Sequence, residues 1–306
     1  MSARELIVLG TASQVPTRER NQSAYFLRWD DQGFLIDPGE GAQRQMAIVG
    51  VSASAITRIL ITHFHGDHCL GLSGIIQRIS LDGVPHEIPI HFPASGERYI
   101  SHLRHASIFH DRARLAPTPI VEAGVIHRSD DLTITALPLD HGVDCYGYRI
   151  EEPERSNLDP TRLEAEGIHG PLAGELKRSG RVEVSGKVVR LEDVSTARKG
   201  QVFAVILDTR TCESAIELAR DADVLLCEST FLESEAAEAE AYGHLTARAA
   251  GEIARAAGAR TLVLTHFSQR YREVERFAEE ASKVHPNVIA ATDGLIVPFP
   301  PRRDGG

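Results

Sequence analysis

The sequence predicts a layered α/β fold, in which helices cover sheets, and three observations lead to that prediction. Short apolar runs typical of buried strands recur along the chain, and segments with the 3.6-residue period of helices lie between them. Alternation of this kind favours layers, because each amphipathic helix buries one face against a sheet. The chain has 306 residues, of which 42% are hydrophobic, and this is enough for a substantial core in one large domain or two ordinary ones.

The first half of the chain, up to residue 150, alternates strand-like and helix-like segments. Runs rich in Ile, Leu, Val and Phe predict strands at 5–9, 23–29, 33–36, 56–62, 88–92, 132–137 and 146–150. Apolar residues spaced three and four positions apart predict helices at 41–49, 69–79 and 97–109.

The same pattern resumes after residue 201. It predicts strands at 202–208, 224–228, 261–265 and 288–292, and helices at 212–220, 245–257 and 272–284. The intervening segment, 151–199, is polar, poor in aromatic residues and broken by prolines and glycines, which is typical of a surface excursion. We therefore expect a single domain spanning 1–306 with 151–199 inserted into it, and a frayed tail at 298–306.

Composition narrows the possible partners and compartments. The net charge is −10, so any nucleic-acid site must be a local basic patch. The sequence has no signal peptide and no apolar run near the ~18 residues of a membrane span, which predicts a cytoplasmic protein outside the membrane. The cysteines are scattered without a CxxC pair, so free thiols are expected at Cys69, Cys145, Cys212 and Cys227.

The stretch ITHFHGDHCLGL, residues 61–72, carries three histidines and an aspartate directly after a predicted buried strand. Residues two apart on a strand point the same way, so His63 and His65 can share one metal ion. Asp67 and His68 follow a glycine turn at the start of the next helix. Imidazole and carboxylate suit zinc, and four ligands this close more naturally serve two ions than one. A coincidence of core or surface histidines is the alternative, and the HxHxDH spacing disfavours it.

Three further polar residues also end strand-like runs. His141 follows ITALPLD, Asp208 ends FAVILD and His266 ends TLVLTH. Their positions would bring them to one edge of the layers, and a carboxylate such as Asp208 can bridge two ions. The predicted first zinc set is His63, His65, His141 and Asp208. The predicted second set is Asp67, His68, Asp208 and His266.

These motifs carry a family resemblance over nearly the whole chain. HxHxDH with a later His, Asp and His resembles the metallo-β-lactamase superfamily, and FLIDPGEGAQRQM, GHLTA and LTHFSQRY together are most similar to the ribonuclease Z family. The resemblance implies a four-layer αββα fold with an inserted protruding arm, two Zn²⁺ ions per subunit, and an endoribonuclease that removes the 3′ trailer from precursor tRNA. One departure is Leu207, where the family often has glycine before the aspartate.

The resemblance also implies roles for individual residues. A hydroxide held by two zinc ions would attack phosphorus and leave a 3′-hydroxyl on the tRNA. Asp67 would accept the water proton, and His244 in GHLTA would protonate the leaving oxygen or orient the phosphate. A helix cap or surface histidine is the alternative for His244. Asp37 either fixes a ligand histidine or only shapes its turn, and Arg270 either meets phosphate or is an ordinary surface arginine.

The segment 151–199 resembles the arm with which bacterial members of the family grip the tRNA elbow. Its GIHGP sequence is followed by five basic residues against two acidic ones between 175 and 190, a local excess of three positive charges. Such a patch suits phosphate-backbone binding, although any solvated loop carries lysines and arginines. The resemblance further implies a homodimer in which one subunit's arm serves tRNA bound at the other's active site.

Two other functions remain open from the residues. The metal motif alone also fits a small-molecule phosphodiesterase, lactonase or thioesterase on the same dizinc scaffold, and a non-catalytic RNA-binding module would require lost ligands. The remaining histidine cluster, ISHLRHASIFH, lacks an acid or a strand end. We therefore predict that His102, His105 and His110 do not bind metal.

Overall fold

The computed structural model describes residues 4–302 of the chain. They fall into two compact units. The first unit extends to Arg128 and continues through Ile134–Ile150 and Val202–Pro300. The second consists of Ser129–Thr133, Glu151–Gln201 and the described residues Pro301 and Arg302. Part of the predicted frayed tail, 303–306, lies outside the described residues.

The strands, in chain order, are β1 (Arg4–Gly10), β2 (Ala24–Trp29), β3 (Gln32–Ile36), β4 (Arg58–Leu60), β5 (Ile88–Pro93), β6 (Leu115–Ile120), β7 (Gly124–Arg128), β8 (Thr133–Pro138), β9 (Tyr146–Glu151), β10 (Arg155–Leu158), β11 (Arg181–Val184), β12 (Lys187–Arg190), β13 (Ser195–Arg198), β14 (Val202–Ile206), β15 (Val224–Glu228), β16 (Leu262–Thr265), β17 (Val288–Ala290) and β18 (Ile296–Pro298).

The α-helices are α1 (Ala42–Ile48), α2 (Gly66–Cys69), α3 (Leu72–Asp82), α4 (Glu97–Arg104), α5 (Pro160–Ala165), α6 (Pro171–Ser179), α7 (Glu213–Ala219), α8 (Ala236–Tyr242), α9 (Ala247–Ala257) and α10 (Glu275–Ala281). Short 3₁₀ helices lie at Ala53–Ala55, Ala94–Gly96, Leu191–Val194 and Glu233–Glu235. No helix among residues 4–302 combines the length and apolar composition needed to cross a bilayer.

The first unit contains two seven-stranded sheets, with the orders β18-β1-β2-β3-β4-β5-β6 and β17-β16-β15-β14-β9-β8-β7. β1, β2 and β3 pair antiparallel, whereas β3, β4, β5 and β6 pair parallel. In the second sheet, β14 to β17 are parallel. The predicted strands are present, and β6, β7 and β18 are additional.

Each sheet buries both faces. On the first sheet, one face packs against α1, α3 and α4, for example Ile7 and Ile59 with Ile76. The corresponding face of the second sheet packs against α7, α9 and α10. The inner faces meet each other, because the Tyr25 hydroxyl lies 2.8 Å from Thr265 Oγ1 and the Tyr148 hydroxyl donates to the Ile61 carbonyl at 2.6 Å. The predicted helix–sheet–sheet–helix layering is confirmed.

Three helices depart from their predicted bounds by three residues or more, and one of them, predicted at 272–284, spans only Glu275–Ala281. The helix predicted at 97–109 ends at Arg104, since the following residues form an exposed loop. The helix predicted at 69–79 is divided into α2 and α3, so Asp67 and His68 lie inside a short helix of their own. This division fixes both side chains before the long helix begins.

The second unit is more ordered than a surface excursion. β10 pairs with β13, and β11 pairs with β12 through a two-residue Ser-Gly turn in which both residues have positive φ, as a type I′ hairpin requires. The Asp159 carboxylate caps α5 by accepting from Thr161 N and Arg162 N. A separate small core holds the unit together, formed by Ile168, Leu176, Val182, Val189 and Val194.

The parallel pairing explains where polar side chains collect. β3 and β4 point the same way, as do β14, β15 and β16, so their carboxyl ends lie at one edge of each sheet. The residues that follow these ends are Asp37, the 61–68 segment, Asp208, Glu228 and His266. The polar residues at the strand ends of the two sheets therefore lie in a common region.

Candidate metal centre

The structure brings all eight predicted site residues together at the strand ends. Seven of them make up the two predicted ligand sets: His63, His65, Asp67, His68, His141, Asp208 and His266. Six of these seven are buried, and His65 is exposed. The eighth, His244, is half-buried and forms a further group of potential ligand atoms with Asp208 and His266.

The first predicted set forms one group of facing atoms. His63 Nε2 lies 2.9 Å from His65 Nδ1, and His141 Nε2 lies 3.2 Å from the same nitrogen. The Asp208 Oδ2 atom is 3.6 Å from His63 Nε2 and 3.3 Å from His141 Nε2. All four potential ligand atoms therefore lie close enough to surround one cation.

The second predicted set is arranged in the same way. Asp67 Oδ2 lies 3.4 Å from both His68 Nε2 and His266 Nε2, and these two nitrogens are 3.2 Å apart. Asp208 reaches both of them, with Oδ2 3.4 Å from His68 Nε2 and Oδ1 3.2 Å from His266 Nε2. Asp208 is thus the residue common to both groups, as predicted.

Hydrogen bonds from the protein fix the outer ring nitrogens of His68 and His63. His68 Nδ1 donates to Asp37 Oδ2 at 2.7 Å, and the Thr62 hydroxyl donates to the same oxygen at 2.6 Å. Because that hydroxyl proton is committed, Thr62 Oγ1 accepts from His63 Nδ1 at 3.0 Å. Of the two alternatives for Asp37, the geometry therefore supports the one that fixes a histidine.

The outer nitrogens of His141 and His266 are held in the same way. His141 Nδ1 donates to the Gly243 carbonyl at 2.8 Å. The Thr230 hydroxyl donates to Glu228 Oε2 at 2.7 Å and accepts from His266 Nδ1 at 2.8 Å. With the protons on the outer nitrogens, each Nε2 presents a lone pair to the centre, which is the tautomer that a metal ligand needs.

This arrangement of donors fits divalent metal ions. The Nε2 atoms of His68 and His266 lie 3.2 Å apart, and with the ring protons on the outer nitrogens neither can donate to the other, so a cation between them removes the conflict. Asp208 Oδ1 is buried and has no hydrogen-bond partner of acceptable geometry among residues 4–302, although His266 Nε2 lies 3.2 Å away. Imidazole nitrogens and carboxylate oxygens in two groups of four are the ligands that zinc takes.

Backbone strain is concentrated at the same place. Of the non-glycine residues with positive φ among residues 4–302, three are Asp37 (44°), Asp208 (47°) and His266 (62°). Such conformations are unfavourable for side chains with a Cβ and persist where the surroundings impose them. Asp37 and His266 directly follow buried strands and Asp208 comes two residues after one, so the turn directs each side chain into the centre.

Charges within the centre shift the titration of its residues. Burial together with the neighbouring His68 ring lowers the pKa of His63 well below its usual range. Burial opposes charge on His68 as well, but the Asp208 and Asp67 carboxylates raise its pKa well above the usual range. Burial would raise the pKa of Asp67, yet His68 and His266 hold it well below the ordinary value.

His244 is paired with a buried carboxylate. Its Nδ1 donates to Glu228 Oε1 at 3.0 Å, and the Thr230 hydroxyl lies 3.3 Å away. Burial would lower the pKa of His244, but the Glu228 carboxylate outweighs it and raises this pKa to about 9. Since Nδ1 is used by Glu228, Nε2 is the nitrogen available to a substrate.

Glu228 is the functional residue that the motif search missed. It is fully buried and also accepts from Thr209 N at 2.8 Å, so it ties the Asp208 turn to His244. Glu228 ends the run VLLCE, which is the same strand-end signal that identified Asp208 and His266. The strand-end pattern therefore also indicates Glu228, as a partner of His244 and not as a member of either predicted ligand set.

A cleft of about 300 Å³ opens over the centre. One wall carries Phe231, Tyr242 and His244, which neighbour one another, and the lining also includes the segment Ser13–Val15. Arg270 lines the cleft, and its guanidinium carbon lies 4.9 Å from the Phe231 ring centroid. The two roles considered for Arg270 were phosphate contact and an ordinary surface position.

The histidines that were rejected as ligands lie elsewhere. His102, His105 and His110 are exposed, and none of the potential metal groups among residues 4–302 includes them. The four cysteines are unpaired, as predicted.

Comparisons with known proteins agree with this geometry. The profile of the Metallo-beta-lactamase superfamily matches residues 17–154. The ribonuclease Z of Nocardia farcinica (strain IFM 10152) is 52% identical over 305 residues, covering 99% of this chain and 100% of that protein. The ribonuclease Z of Streptomyces coelicolor is 50% identical over 305 residues, with 99% and 100% coverage.

Solved structures show the same fold at lower identity. The short form of human tRNase Z has a TM-score of 0.66 and 23% identity, over 97% of this chain and 99% of that one. The protein YhfI from Bacillus subtilis, described as having the metallo-beta-lactamase fold, has a TM-score of 0.69 and 19% identity, over 97% of this chain and 100% of that one. The four-layer fold expected from the resemblance is therefore confirmed.

Proposed function

Because the chain belongs to the ribonuclease Z family of the metallo-beta-lactamase superfamily, we propose that it is the endoribonuclease that removes the 3′ trailer from precursor tRNA. The observation that carries this proposal is the convergence of seven metal-binding side chains and the His244–Glu228 pair beside one cleft. Full-length relatives at 50% and 52% identity that are named ribonuclease Z support it. The product is a tRNA with a 3′-hydroxyl.

Two zinc ions are part of the proposal. The first would be held by His63, His65, His141 and Asp208, and the second by Asp67, His68 and His266 together with Asp208. When bound, zinc supplies a hydroxide nucleophile near neutral pH and neutralises negative charge on the phosphodiester. The protein's part is to fix the ligand tautomers through Asp37, Thr62, Thr230 and the Gly243 carbonyl.

Asp67 and His244 carry the proton transfers. Asp67 lines the cleft, where its carboxylate accepts the proton of the attacking water. His244 stays protonated at neutral pH beside Glu228 and donates from Nε2 to the leaving 3′-oxygen. Placing the acid and the base on different elements suits in-line displacement, in which attack and departure occur on opposite sides of phosphorus.

The second unit is proposed to bind the tRNA body. Lys177 and Arg178 end α6, and Arg181 and Arg190 are exposed on the β11–β12 hairpin. Ion pairing takes up part of this charge, since Lys187 contacts Glu166 and Arg190 contacts Glu192. The remaining cations suit a phosphate backbone. We also propose a cytoplasmic homodimer, in keeping with the unpaired thiols and the family.

Removing the arm tests this division of labour. A variant in which a short Gly-Ser linker replaces residues 155–198 is compared with the intact protein on precursor tRNA and on bis-p-nitrophenyl phosphate. The proposal expects a large loss of tRNA cleavage and an almost unchanged rate on the small phosphodiester. Equal losses on both substrates contradict the assignment of the arm.

A substrate panel tests the reaction class. Precursor tRNA is offered beside thioester and lactone substrates, and the cleavage site is mapped on precursors with and without an encoded CCA end. Cleavage at the 3′ end of the tRNA body, with little turnover of the other substrates, supports the proposal. Preferential hydrolysis of a thioester or lactone would replace it with the small-molecule hydrolase.

A further inference from the structure

One aromatic side chain beside the cleft is not explained by packing. Tyr242 is the last residue of α8 and is 65% exposed, although it lines the cleft over the metal centre. The buried side of α8 uses Ala239 instead. Because the lining of the cleft is otherwise mainly polar, this exposed ring offers a flat apolar surface to a ligand in the cleft.

The surroundings of Tyr242 form a layered platform. Its ring is nearly parallel to that of Phe231, with an interplanar angle of 15° and a centroid distance of 6.4 Å. Phe231 is buried, and Arg270 lies over its ring. The buried Phe231 ring thus supports the tyrosine from one side, and the exposed tyrosine remains available to a second planar group.

A nucleobase is the planar group that the cleft would receive. Stacking of a base on an aromatic side chain tolerates any sequence, because every base has a π face. Arg270 supplies a cation beside the platform, which suits a base attached to a phosphate. This combination of aromatic ring and arginine is typical of sites that hold single-stranded nucleic acid.

The position of His244 indicates which base is held. His244 follows Tyr242 by two residues, and its Nε2 is the free nitrogen because Nδ1 donates to Glu228. In the proposed function this nitrogen protonates the 3′-oxygen that leaves. The nucleotide that owns this oxygen therefore lies against the wall formed by Phe231, Tyr242 and His244.

We propose that Tyr242, supported by Phe231 and flanked by Arg270, stacks the base of the nucleotide whose 3′-oxygen is released by the cut. The inference rests on the proposed function and deepens it by naming a substrate-binding residue. It explains how cleavage can be placed at the junction between the folded tRNA and its trailer without reading the identity of the base.

The test pairs a protein change with a substrate change. Three precursor tRNAs are prepared: one intact, one with an abasic nucleotide directly 5′ of the cut, and one with an abasic nucleotide directly 3′ of it. Wild type, Tyr242→Ala, Tyr242→Leu and Tyr242→Phe are compared by kcat/KM on each. Zinc content and thermal unfolding are measured for every variant, and Tyr242→Phe is the matched control because it keeps the ring.

The proposal predicts that Tyr242→Ala and Tyr242→Leu lower kcat/KM on the intact precursor about tenfold, whereas Tyr242→Phe changes it little. On the precursor that is abasic 5′ of the cut, all four proteins should cleave at rates within about twofold, because the stacked base is gone. On the precursor that is abasic 3′ of the cut, the difference between Tyr242→Ala and wild type should persist.

Other results would overturn the proposal. Equal losses for Tyr242→Ala on all three precursors would show that the ring acts without the base. A difference that vanishes only on the 3′-abasic precursor would place the platform on the trailer side and contradict the assignment. If wild type leaves the intact precursor uncut, the proposed function itself fails and this inference fails with it.

Discussion

At the scale of single residues, the centre depends on where protons are placed. The outer nitrogens of His63, His68, His141 and His266 donate to protein acceptors, so the inner nitrogens keep their lone pairs. His244 differs in belonging to neither proposed ligand set, and its Glu228 partner raises the pKa of the ring to about 9. The same type of side chain thus serves as a neutral ligand in one place and as an acid in another.

The role of His244 predicts a clear kinetic phenotype. His244→Ala should lower kcat on precursor tRNA by about a hundredfold to ten thousandfold, the range typical of general acid–base groups. Zinc content should be unchanged, because His244 belongs to neither proposed ligand set. Glu228→Gln should cause a smaller loss, since the ring stays in place while the carboxylate that favours its charge is removed.

An unchanged rate in His244→Ala would refute the role of this residue. Loss of zinc in the same variant would instead make it a ligand. Asp67→Ala is the contrasting variant, because it should abolish cleavage and also reduce zinc binding.

A second residue-scale prediction concerns His91, which is buried in the first unit. Its Nε2 lies 2.6 Å from Arg58 Nη1, and burial together with that guanidinium lowers the pKa of His91 to about 3. Its ordinary pKa is 6.5, so between these values the unfolded chain binds a proton that the folded chain does not. Stability should therefore be complete above pH 6.5 and decrease as the pH falls toward 3.

Urea unfolding of wild type and His91→Gln at pH 7, 6 and 5 checks this prediction. Wild type should lose up to about 1.4 kcal/mol more per pH unit than His91→Gln below pH 6.5. Both proteins lose other interactions in acid, so only the difference between their slopes counts. Identical slopes would show that His91 does not contribute.

At the scale of elements, the central strands of the sheets were predictable from the sequence, and the strands at the sheet edges were less so. Continuous apolar runs such as VFAVI and VLLCE have no alternative to burial on both faces, and they form the central strands β14 and β15. β6 was missed because its sequence LAPTPI contains two prolines, and β18 is a short strand of three residues. The strands of the 151–199 segment were not predicted. Its glycines are typical of a loop, but in the structure they form turns and helix ends.

The site was also predictable in part, for a related physical reason. Parallel strands end at one edge, so polar residues after apolar runs could be assembled from spacing alone. Asp208 and His266, which follow the parallel strands β14 and β16, lie 3.2 Å apart for this reason. The pairing of Glu228 with His244 could not be predicted from spacing. It joins the end of β15 to a residue two positions after α8, and it depends on how the loop after α8 folds back.

One element-scale prediction concerns the start of α9. The Thr246 hydroxyl accepts from Ala249 N at 3.1 Å and donates to Glu233 Oε2 at 2.8 Å. Thr246→Ala should lower the free energy of unfolding by about 1 kcal/mol, the usual cost of an N-cap. Thr246→Ser keeps the hydroxyl and should be close to wild type in urea unfolding. A serine variant as unstable as the alanine variant would show that the methyl group matters instead.

At the scale of the whole molecule, the proposed function places catalysis in the first unit and tRNA binding in the second. The metal centre and the cleft lie entirely in the first unit, whereas the exposed basic residues of the arm lie in the second. Each unit has its own core, so each can be weakened separately. This separation allows a small phosphodiester to report on the first unit alone.

Loosening the second unit should therefore raise KM for precursor tRNA without affecting the chemistry. Leu176 is fully buried in the small core of that unit, and Leu176→Ala should destabilise it by about 2–5 kcal/mol. The rate on bis-p-nitrophenyl phosphate should stay near that of wild type. Leu172→Ala, at a partly buried position of the same core, is the milder control. A comparable loss on the small substrate would mean that the arm is needed for the metal centre itself.

The most direct test of the account is an anomalous difference map collected at the zinc edge from crystals of protein purified without chelators. The account predicts two peaks about 3.5–4 Å apart, one among His63, His65 and His141 and the other among Asp67, His68 and His266, with Asp208 between them. A single peak, or no peak within this cluster, would contradict it.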